Sequence, residues 1–261
     1  MPRRRCAHAV RRLAEVERDD VIGRLTKLGF GADDVEMLAD HFLDAERRGK
    51  LSHGVARIEW LETFDDLDPL AVPAKLAASP GFDYWEGRGA LGYLTLAAIC
   101  RDLEARPPSP VRVVAAAQCF PTGTLGYWVR WLAEAGLVSL LTATSPARLA
   151  HPDGGEPLVG TNPLAIGLPN PQGKPVVVDV SMGKVTHGDV LRGVASPEDL
   201  VPFGGDQSHK AFALALGLQG FVESFVGEEH GALLVAAQPE FDQVAAELRE
   251  RTRGLRLPGD S

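Results

Sequence analysis

The segment Ser-His-Gly-Val-Ala-Arg, residues 52–57, combines residue types that can move a proton and hold an anion. An imidazole gains or loses a proton near neutral pH, and a guanidinium is a planar double donor that matches a carboxylate. His53 and Arg57 are four residues apart, so they would share one face of a helix. The spacing predicts an acid/base histidine beside a carboxylate-binding arginine. A Ser-His-Gly sequence by itself is more often an ordinary helix cap and turn.

Helices are predicted on both sides of the Ser-His-Gly sequence. Apolar residues recur at steps of three or four over 33–48, where two aspartates begin the pattern and Gly49 is a plausible stop. Helical spacing then resumes through residues 55–61, with Ser52 as a candidate N-cap.

Beyond Pro69 the sequence changes to short β-prone runs divided by turn residues. These runs are FDYW, VRVVAAA, VSLLTAT, LAIGLP and PVVVDVS. Helical stretches are expected near 92–105 and 124–135, followed by a helix from about 208 to 226, a strand in GALLVAA and a charged helix near 240–253. The alternation predicts an α/β core, and no internal repeat is visible.

Composition and charge exclude several classes of function. The net charge of the 261 residues is -8, and the basic residues are scattered apart from an Arg-rich N-terminus, so no nucleic-acid partner is expected. The longest apolar runs are too short to cross a bilayer, and residues 1–12 lack the apolar segment of a secretory signal. We therefore expect a soluble, cytoplasmic protein without a membrane partner.

The cysteines and the glycine patterns argue against several other kinds of site. Cys6, Cys100 and Cys119 are an odd number at wide spacings, which favours neither a disulfide framework nor a metal site. The sequence GFGADD at 29–34 lacks the third glycine of a dinucleotide-binding turn, and its acidic helix start would repel a pyrophosphate. A Rossmann site is therefore not expected there.

Three segments carry a resemblance to a known family. They are SHGVAR at 52–57, GGEPLVGTNPLAIGLP at 154–169 followed by VVVDVS at 176–181, and PFGGDQSHKAF at 202–212. In this order they resemble the signature segments of the malate/L-lactate dehydrogenase-like oxidoreductases, a non-Rossmann family that also holds cyclic ketimine and diketogulonate reductases. The resemblance covers most of the chain.

The resemblance implies a fold and a reaction. The fold is α/β, with a mixed, largely antiparallel central sheet flanked by helices. The reaction moves hydride between NAD(P)H and a small 2-oxo acid or cyclic 2-imino acid in a homodimer. Three regions are expected: an N-terminal helical region (1–70), an α/β core with the cofactor-binding region (71–200), and a helix-strand-helix segment (201–261) that packs back on the N-terminal region.

The resemblance also implies roles for residues in the first motif. His53 becomes the proton donor or acceptor, with Ser52 beside it, and Arg57 receives the substrate carboxylate. Because Arg57 and a helix N-terminus both disfavour an imidazolium ion, His53 would need a carboxylate neighbour. Asp179, in VVVDVS, is the candidate for that partner.

The other two motifs supply candidates for binding. Thr161 and Asn162 would frame the substrate and cofactor pocket, although Gly-Thr-Asn-Pro is also ordinary turn chemistry. The cofactor-binding candidates are Gly160, Ser181, Gly205 and Lys210. Lys210 would contact a cofactor phosphate, and its alternative is a solvated surface lysine.

Departures from the family pattern fall mainly on the cofactor side. Pro121 stands where relatives carry a histidine, and Asp189 stands where they carry a lysine, which reverses the charge. Lys184 and His187 are candidates to compensate. The segment between 190 and 202 is much shorter than in the family, which we interpret as internal trimming.

Three functions remain open at this point. The first is a reductase that uses NADH or NADPH. The second is a redox-independent lyase, cyclase or isomerase that uses His53 for proton transfer, and the third is a non-catalytic partner subunit.

Overall fold

A computed structural model describes residues 18–255 of the chain. The basic arm at 1–12 and Cys6 lie outside these residues. The α-helices are α1 (Arg18–Lys27), α2 (Ala32–Arg47), α3 (Ala56–Leu61), α4 (Gly92–Ala105), α5 (Leu125–Glu134), α6 (His187–Leu191), α7 (Ser208–Val226) and α8 (Val244–Arg251). The strands are β1 (Ala74–Ser79), β2 (Phe82–Glu86), β3 (Val111–Ala117), β4 (Val138–Ala143), β5 (Leu164–Leu168), β6 (Val176–Val180) and β7 (Ala232–Ala237). Short 3-10 helices cover Leu51–His53, Pro197–Asp199 and Gly205–Gln207.

The seven strands form one mixed sheet in the order β1-β2-β3-β7-β4-β5-β6. Only the pair β2 and β3 is parallel, and every other neighbouring pair is antiparallel. The prediction of a mixed, largely antiparallel sheet flanked by helices is confirmed. A Rossmann fold would instead have a mainly parallel sheet.

Alternate residues of the central strands face two separate layers, as the period of two in a strand requires. Val114 and Ala116 of β3 belong to the large core under the helices α1 to α5. Ala115 and Ala117 face the opposite side, where Val222 and other apolar residues of α7 cover the sheet. The sheet is thus sandwiched between an N-terminal helical layer and one long C-terminal helix.

The C-terminal segment contributes to the middle of the sheet, since β7 pairs with both β3 and β4. Ala232, Leu234 and Ala236 of β7 belong to the large core that contains the N-terminal helices, while Leu233 faces α7. The division of the chain into three regions, with residues 201–261 packing back on the N-terminal region, stays a prediction. No helix among residues 18–255 has the length and apolar character needed to cross a membrane.

Candidate active site

A cavity of about 430 Å³ opens between the N-terminal helical layer and the ends of strands β4 and β6. Its walls come from residues 49–60, from the loop 120–124, from the segment after β4 and from α6. The sequence-predicted site residues that line the cavity are Ser52, His53, Arg57, Thr161, Asp179 and Ser181. Motifs far apart in the sequence therefore meet in one place.

The Ser-His-Gly segment is held in place from α2. The Glu46 carboxylate accepts a hydrogen bond from the backbone N–H of Val55 at 2.9 Å. A Cβ atom at Gly54 would lie 2.1 Å from Glu46 Oε1, so only glycine fits this approach. Ser52 lies inside a 3-10 helix, and the residue that precedes α3 makes no side-chain cap, which corrects the prediction that Ser52 is an N-cap.

His53 and Arg57 are both anchored on Ser52. The Ser52 hydroxyl oxygen lies 3.1 Å from His53 Nδ1, and the Ser52 carbonyl accepts a hydrogen bond from Arg57 Nε at 2.8 Å. The Arg57 guanidinium also lies 4.9 Å from the centre of the Trp60 ring, a cation-π distance. One residue thus sets the relative position of the imidazole and the guanidinium.

The environment of His53 favours its neutral form. Burial, followed by the positive charges of Arg57 and Lys50, lowers its pKa to about 3, and the Asp189 carboxylate acts in the opposite direction. The imidazole is therefore neutral at pH 7 and is a proton acceptor in this state. It becomes a proton donor more readily when an anion offsets the charge of Arg57.

The carboxylate that acts on His53 is Asp189, which corrects the pairing predicted for Asp179. Asp179 Oδ2 accepts hydrogen bonds from Lys50 Nζ at 2.7 Å and from Gly126 N at 3.0 Å. The negative charge of Asp189 raises the pKa of His53, while Asp179 has no part in that shift. The difference arises because α6 turns its first residues toward the Ser-His-Gly segment.

Asp189 is fixed by a capping box at the start of α6. It accepts hydrogen bonds from the backbone and hydroxyl of Thr186 at 3.0 and 2.7 Å. Burial raises the pKa of Asp189, but the interactions with Thr186 and with the Ser52 side chain outweigh it, so the pKa is lowered. The Thr-x-x-Asp spacing at 186–189 was the sequence signal for this arrangement.

Four predicted binding residues lie outside the cavity lining. Asn162 is buried, donates to Ala215 O at 3.0 Å and to Gln219 Oε1 at 2.7 Å, and accepts from Ser145 N at 3.3 Å, so it ties its loop to α7. Gly160 packs against Ser145, where a Cβ would lie 2.4 Å from the carbonyl oxygen. Gly205 and Lys210 are exposed at the start of α7, so neither contributes to this cavity.

The positions that depart from the family pattern have different placements. Pro121 follows a cis peptide bond. Both Pro121 and Asp189 line the cavity. His187 also lines it, with a buried Nδ1 that has no hydrogen-bond partner among the described residues. Lys184 Nζ instead pairs with Asp199 Oδ1 at 2.7 Å and lies outside the lining, so only His187 is positioned to compensate.

Sequence reasoning missed three cationic lining residues and one histidine behind the wall. Lys50, Arg148 and Arg192 line the cavity. His41 is fully buried, its Nε2 lies 3.4 Å from Thr124 Oγ1, and burial and the charge of His53 lower its pKa to about 3. No motif marks these residues, because each reaches the site only through the fold.

Known proteins are similar to this chain in sequence. The family model described as malate/L-lactate dehydrogenase matches residues 14–198. A Delta(1)-pyrroline-2-carboxylate/Delta(1)-piperideine-2-carboxylate reductase from Pseudomonas syringae pv. tomato is 28% identical, with 89% of this chain and 83% of that protein covered. A (2R)-3-sulfolactate dehydrogenase (NADP(+)) from Chromohalobacter salexigens is 29% identical over 65% of this chain and 52% of its own length.

A solved structure agrees with the fold. The crystal structure of delta1-piperideine-2-carboxylate reductase from Pseudomonas syringae superposes with a TM-score of 0.77 at 24% identity, covering 93% of this chain and 89% of that chain. The sequence alignment to the reductase extends over 287 positions, more than the 261 residues of this chain, so it must contain gaps.

Proposed function

The chain belongs to the malate/L-lactate dehydrogenase family, and from this premise we propose that it is an NAD(P)H-dependent reductase of a small 2-oxo acid or cyclic 2-imino acid. The family is one of oxidoreductases. The observation that carries the proposal is the anchoring of His53 and Arg57 on the same residue, Ser52, at the wall of one cavity. This arrangement holds a carboxylate beside a group that can exchange a proton.

Arg57, His53 and Asp189 would each have a separate role in the reaction. Arg57 binds the substrate carboxylate through its guanidinium, because its Nε is already committed to Ser52 and its two terminal nitrogens remain as a pair of donors. His53 Nε2 takes the proton of a hydroxyl when the alcohol is oxidised and returns it during reduction. The negative charge of Asp189 favours the protonated form of the imidazole.

The cavity fits the nicotinamide end of a cofactor together with a small acid. Its volume of about 430 Å³ lies in the range of pockets that hold drug-sized ligands. Thr161 and Ser181 line it, and the orphaned Nδ1 of His187 is a buried polar atom that a ligand could satisfy. These three residues would hold the cofactor, which supplies the hydride when bound.

The test is oxidation of NADH or NADPH in the presence of 2-oxo acids and cyclic imino acids, followed at the absorbance band of the reduced nicotinamide. His53→Asn is expected to lower kcat by roughly 10²- to 10⁴-fold, the usual contribution of a general acid or base. His151→Asn, on an exposed loop, is the matched control and should retain activity.

Two results would contradict the reductase. One is the absence of any shift in melting temperature with millimolar NADH and NADPH, since a ligand that binds the folded state must stabilise it. The other is conversion of a carboxylate substrate without nicotinamide that still depends on His53 and Arg57, which would identify a redox-independent enzyme.

We also propose that the protein is a homodimer in which α7 forms the contact. This helix is apolar on nearly every face, a pattern typical of helices that are covered on all sides. Its exposed large apolar residues are Leu214, Leu216, Phe221 and Phe225. An exposed patch of this kind marks an interaction surface, and the resemblance to the family supplies a second copy as the occupant.

The mass of the protein in solution tests this proposal. Leu216→Glu should convert a dimer into a monomer in light scattering coupled to gel filtration, because it puts two charges into an apolar contact. Val72→Glu changes a more exposed apolar residue outside α7 and should leave the mass unchanged. A wild-type monomer would refute the dimer.

A further inference from the structure

Two arginines in the cavity have no anionic partner. Arg57 and Arg148 both line the cavity and both are partly buried. Within residues 18–255 neither forms an ion pair, whereas the partly buried Arg130 pairs with Asp44 at 2.9 Å and Arg112 pairs with Asp83 at 3.5 Å. Arg57 and Arg148 therefore lack the ion pair that Arg112 and Arg130 have, and both lie where the cavity is open to a ligand.

The charges around the cavity balance except at these two residues. Lys50 pairs with Asp179 at 2.7 Å, and Arg192 lies 4.0 Å from Asp189. These pairs use both acidic residues of the lining. Two positive charges remain, in a chain whose net charge is -8.

The two remaining guanidinium groups act on each other and on their surroundings. Burial and the charge of Arg57 lower the pKa of Arg148. Burial and the charges of both arginines lower the pKa of His187. Holding two uncompensated cations close together in a partly buried site opposes folding unless a ligand neutralises them.

We infer that the substrate is a small dianion, a 2-oxo acid that carries a second acidic group, with one group bound by Arg57 and the other by Arg148. This inference rests on the proposed reductase and narrows its substrate class. A cyclic imino acid has one carboxylate and would leave Arg148 without a partner. The second group is a carboxylate or a sulfonate, since both present oxygens that a guanidinium can bind.

The kinetic experiment compares substrates that differ in their second acidic group. We expect the wild type to favour oxaloacetate or 3-sulfopyruvate over pyruvate by at least tenfold in kcat/KM, and the preference between the two dianions identifies the second group. Arg148→Gln should lower kcat/KM for the dianions by roughly 10- to 100-fold, the value of a lost hydrogen bond between charged groups. The same variant should change the value for pyruvate by less than threefold.

A binding experiment separates this inference from the proposed function. Malonate, a dianion that cannot be reduced, should raise the melting temperature of the wild type more than acetate does, and Arg148→Gln should remove the difference. Arg148→Gln should itself fold at least as stably as the wild type, because it removes an uncompensated charge. Arg106→Gln, at an exposed arginine, is the control and should behave as the wild type.

Each remaining outcome is decisive. Equal use of pyruvate and the dianions by the wild type, or equal stabilisation by malonate and acetate, overturns the dianion inference and leaves the reductase intact. Weaker binding of NADPH but not of NADH by Arg148→Gln, with the preference for dianions unchanged, assigns Arg148 to a cofactor phosphate and also overturns it. Dependence of malonate binding on Arg148 without reduction of any 2-oxo acid supports the inference and refutes the reductase.

Discussion

His53 is a partly buried histidine whose surroundings keep it neutral, and its behaviour with pH follows from that. With a pKa of about 3, lowered by burial and by Arg57 and Lys50, the free enzyme contains almost no imidazolium between pH 5 and 8. Oxidation of a hydroxy acid uses the neutral imidazole, whereas reduction uses the protonated one. The two directions must therefore depend on pH differently.

We expect kcat/KM for oxidation to stay level between pH 5 and 8, and kcat/KM for reduction to fall about tenfold with each unit as the pH rises from 5 to 8. Burial and the charges of Arg148 and Arg57 lower the pKa of His187, another histidine of the cavity. Initial rates in both directions measure the profiles, with His151→Asn as the control. A decline of the oxidation rate below pH 7 would mean that His53 titrates near its ordinary pKa, contrary to this prediction.

The sequence pointed to site residues that lie close together in one motif and missed those that only the fold brings together. His53 and Arg57 were found because they lie four residues apart in one motif. Asp179 was predicted because it lies in a family motif, and no sequence pattern states which carboxylate will reach the imidazole. Arg148 escaped notice because an arginine without an anionic partner can be recognised only when its surroundings are known.

The loop that contains Asn162 shows how an element, rather than a ligand, can account for a motif residue. Asn162→Ala removes two donated bonds to α7 and leaves Ser145 N without its acceptor. We expect a loss of roughly 1–3 kcal/mol in the free energy of unfolding, measured with urea, and little change in the KM for the acid. A raised KM with unchanged stability would instead support the earlier prediction that Asn162 binds substrate.

Close packing of α6 on the Ser-His-Gly segment positions Arg57. A Cβ atom at Gly188 would lie 2.5 Å from Ser52 O and 2.9 Å from Arg57 Nη2. Gly188→Ala must therefore push α6 away or displace the guanidinium, and we expect kcat/KM to fall by about 10²-fold. Steady-state kinetics provide the measurement.

The control for this change is Gly23→Ala in α1, where an added Cβ has no atom within 4 Å. It should keep full activity and gain up to about 1 kcal/mol of stability, since alanine is the better helix former. Equal activity of Gly188→Ala and Gly23→Ala would show that the contact with α6 does not position Arg57.

Long helices were predicted with the right bounds, whereas a short exposed strand was missed. The long helix α7, Ser208–Val226, and the helix α4, Gly92–Ala105, have the bounds expected from the sequence. Strand β1, Ala74–Ser79, was missed, because it is an exposed edge strand rich in alanine and carries no alternation of apolar and polar residues. The pairing of β1 with β2 depends on the assembled sheet and not on a pattern within β1.

The order of strands across the whole molecule could not be read from local patterns. Strand β7, the last in the chain, lies between β3 and β4, and this insertion joins the C-terminal segment to the centre of the sheet. The resemblance supplied the fold class, but only the assembled molecule shows that the site is formed by the helical layer meeting the sheet. The same layer buries a second histidine behind the cavity.

The burial of His41 makes the stability of the whole protein sensitive to acid. Burial and the charge of His53 lower its pKa to about 3, while in the unfolded chain the pKa is near 6.5. Between these values the unfolded state binds more protons than the folded state. The contribution of the neutral His41 to the free energy of unfolding is therefore fully present above pH 6.5 and is lost as the pH falls. One such histidine makes the free energy of unfolding fall by about 1.4 kcal/mol for each pH unit of acidification.

Urea unfolding at pH 7, 6, 5 and 4 measures this slope for the wild type and for His41→Gln. We expect His41→Gln to be less stable at pH 7, because it loses ring contacts with Tyr93 and Trp128, but to lose stability less steeply as the pH falls. The difference between the two slopes should approach the contribution of one proton, and His151→Gln, which changes an exposed histidine, should retain the wild-type slope. Parallel curves for the wild type and His41→Gln would show that His41 becomes protonated in the folded protein without cost, and that its burial does not govern acid unfolding.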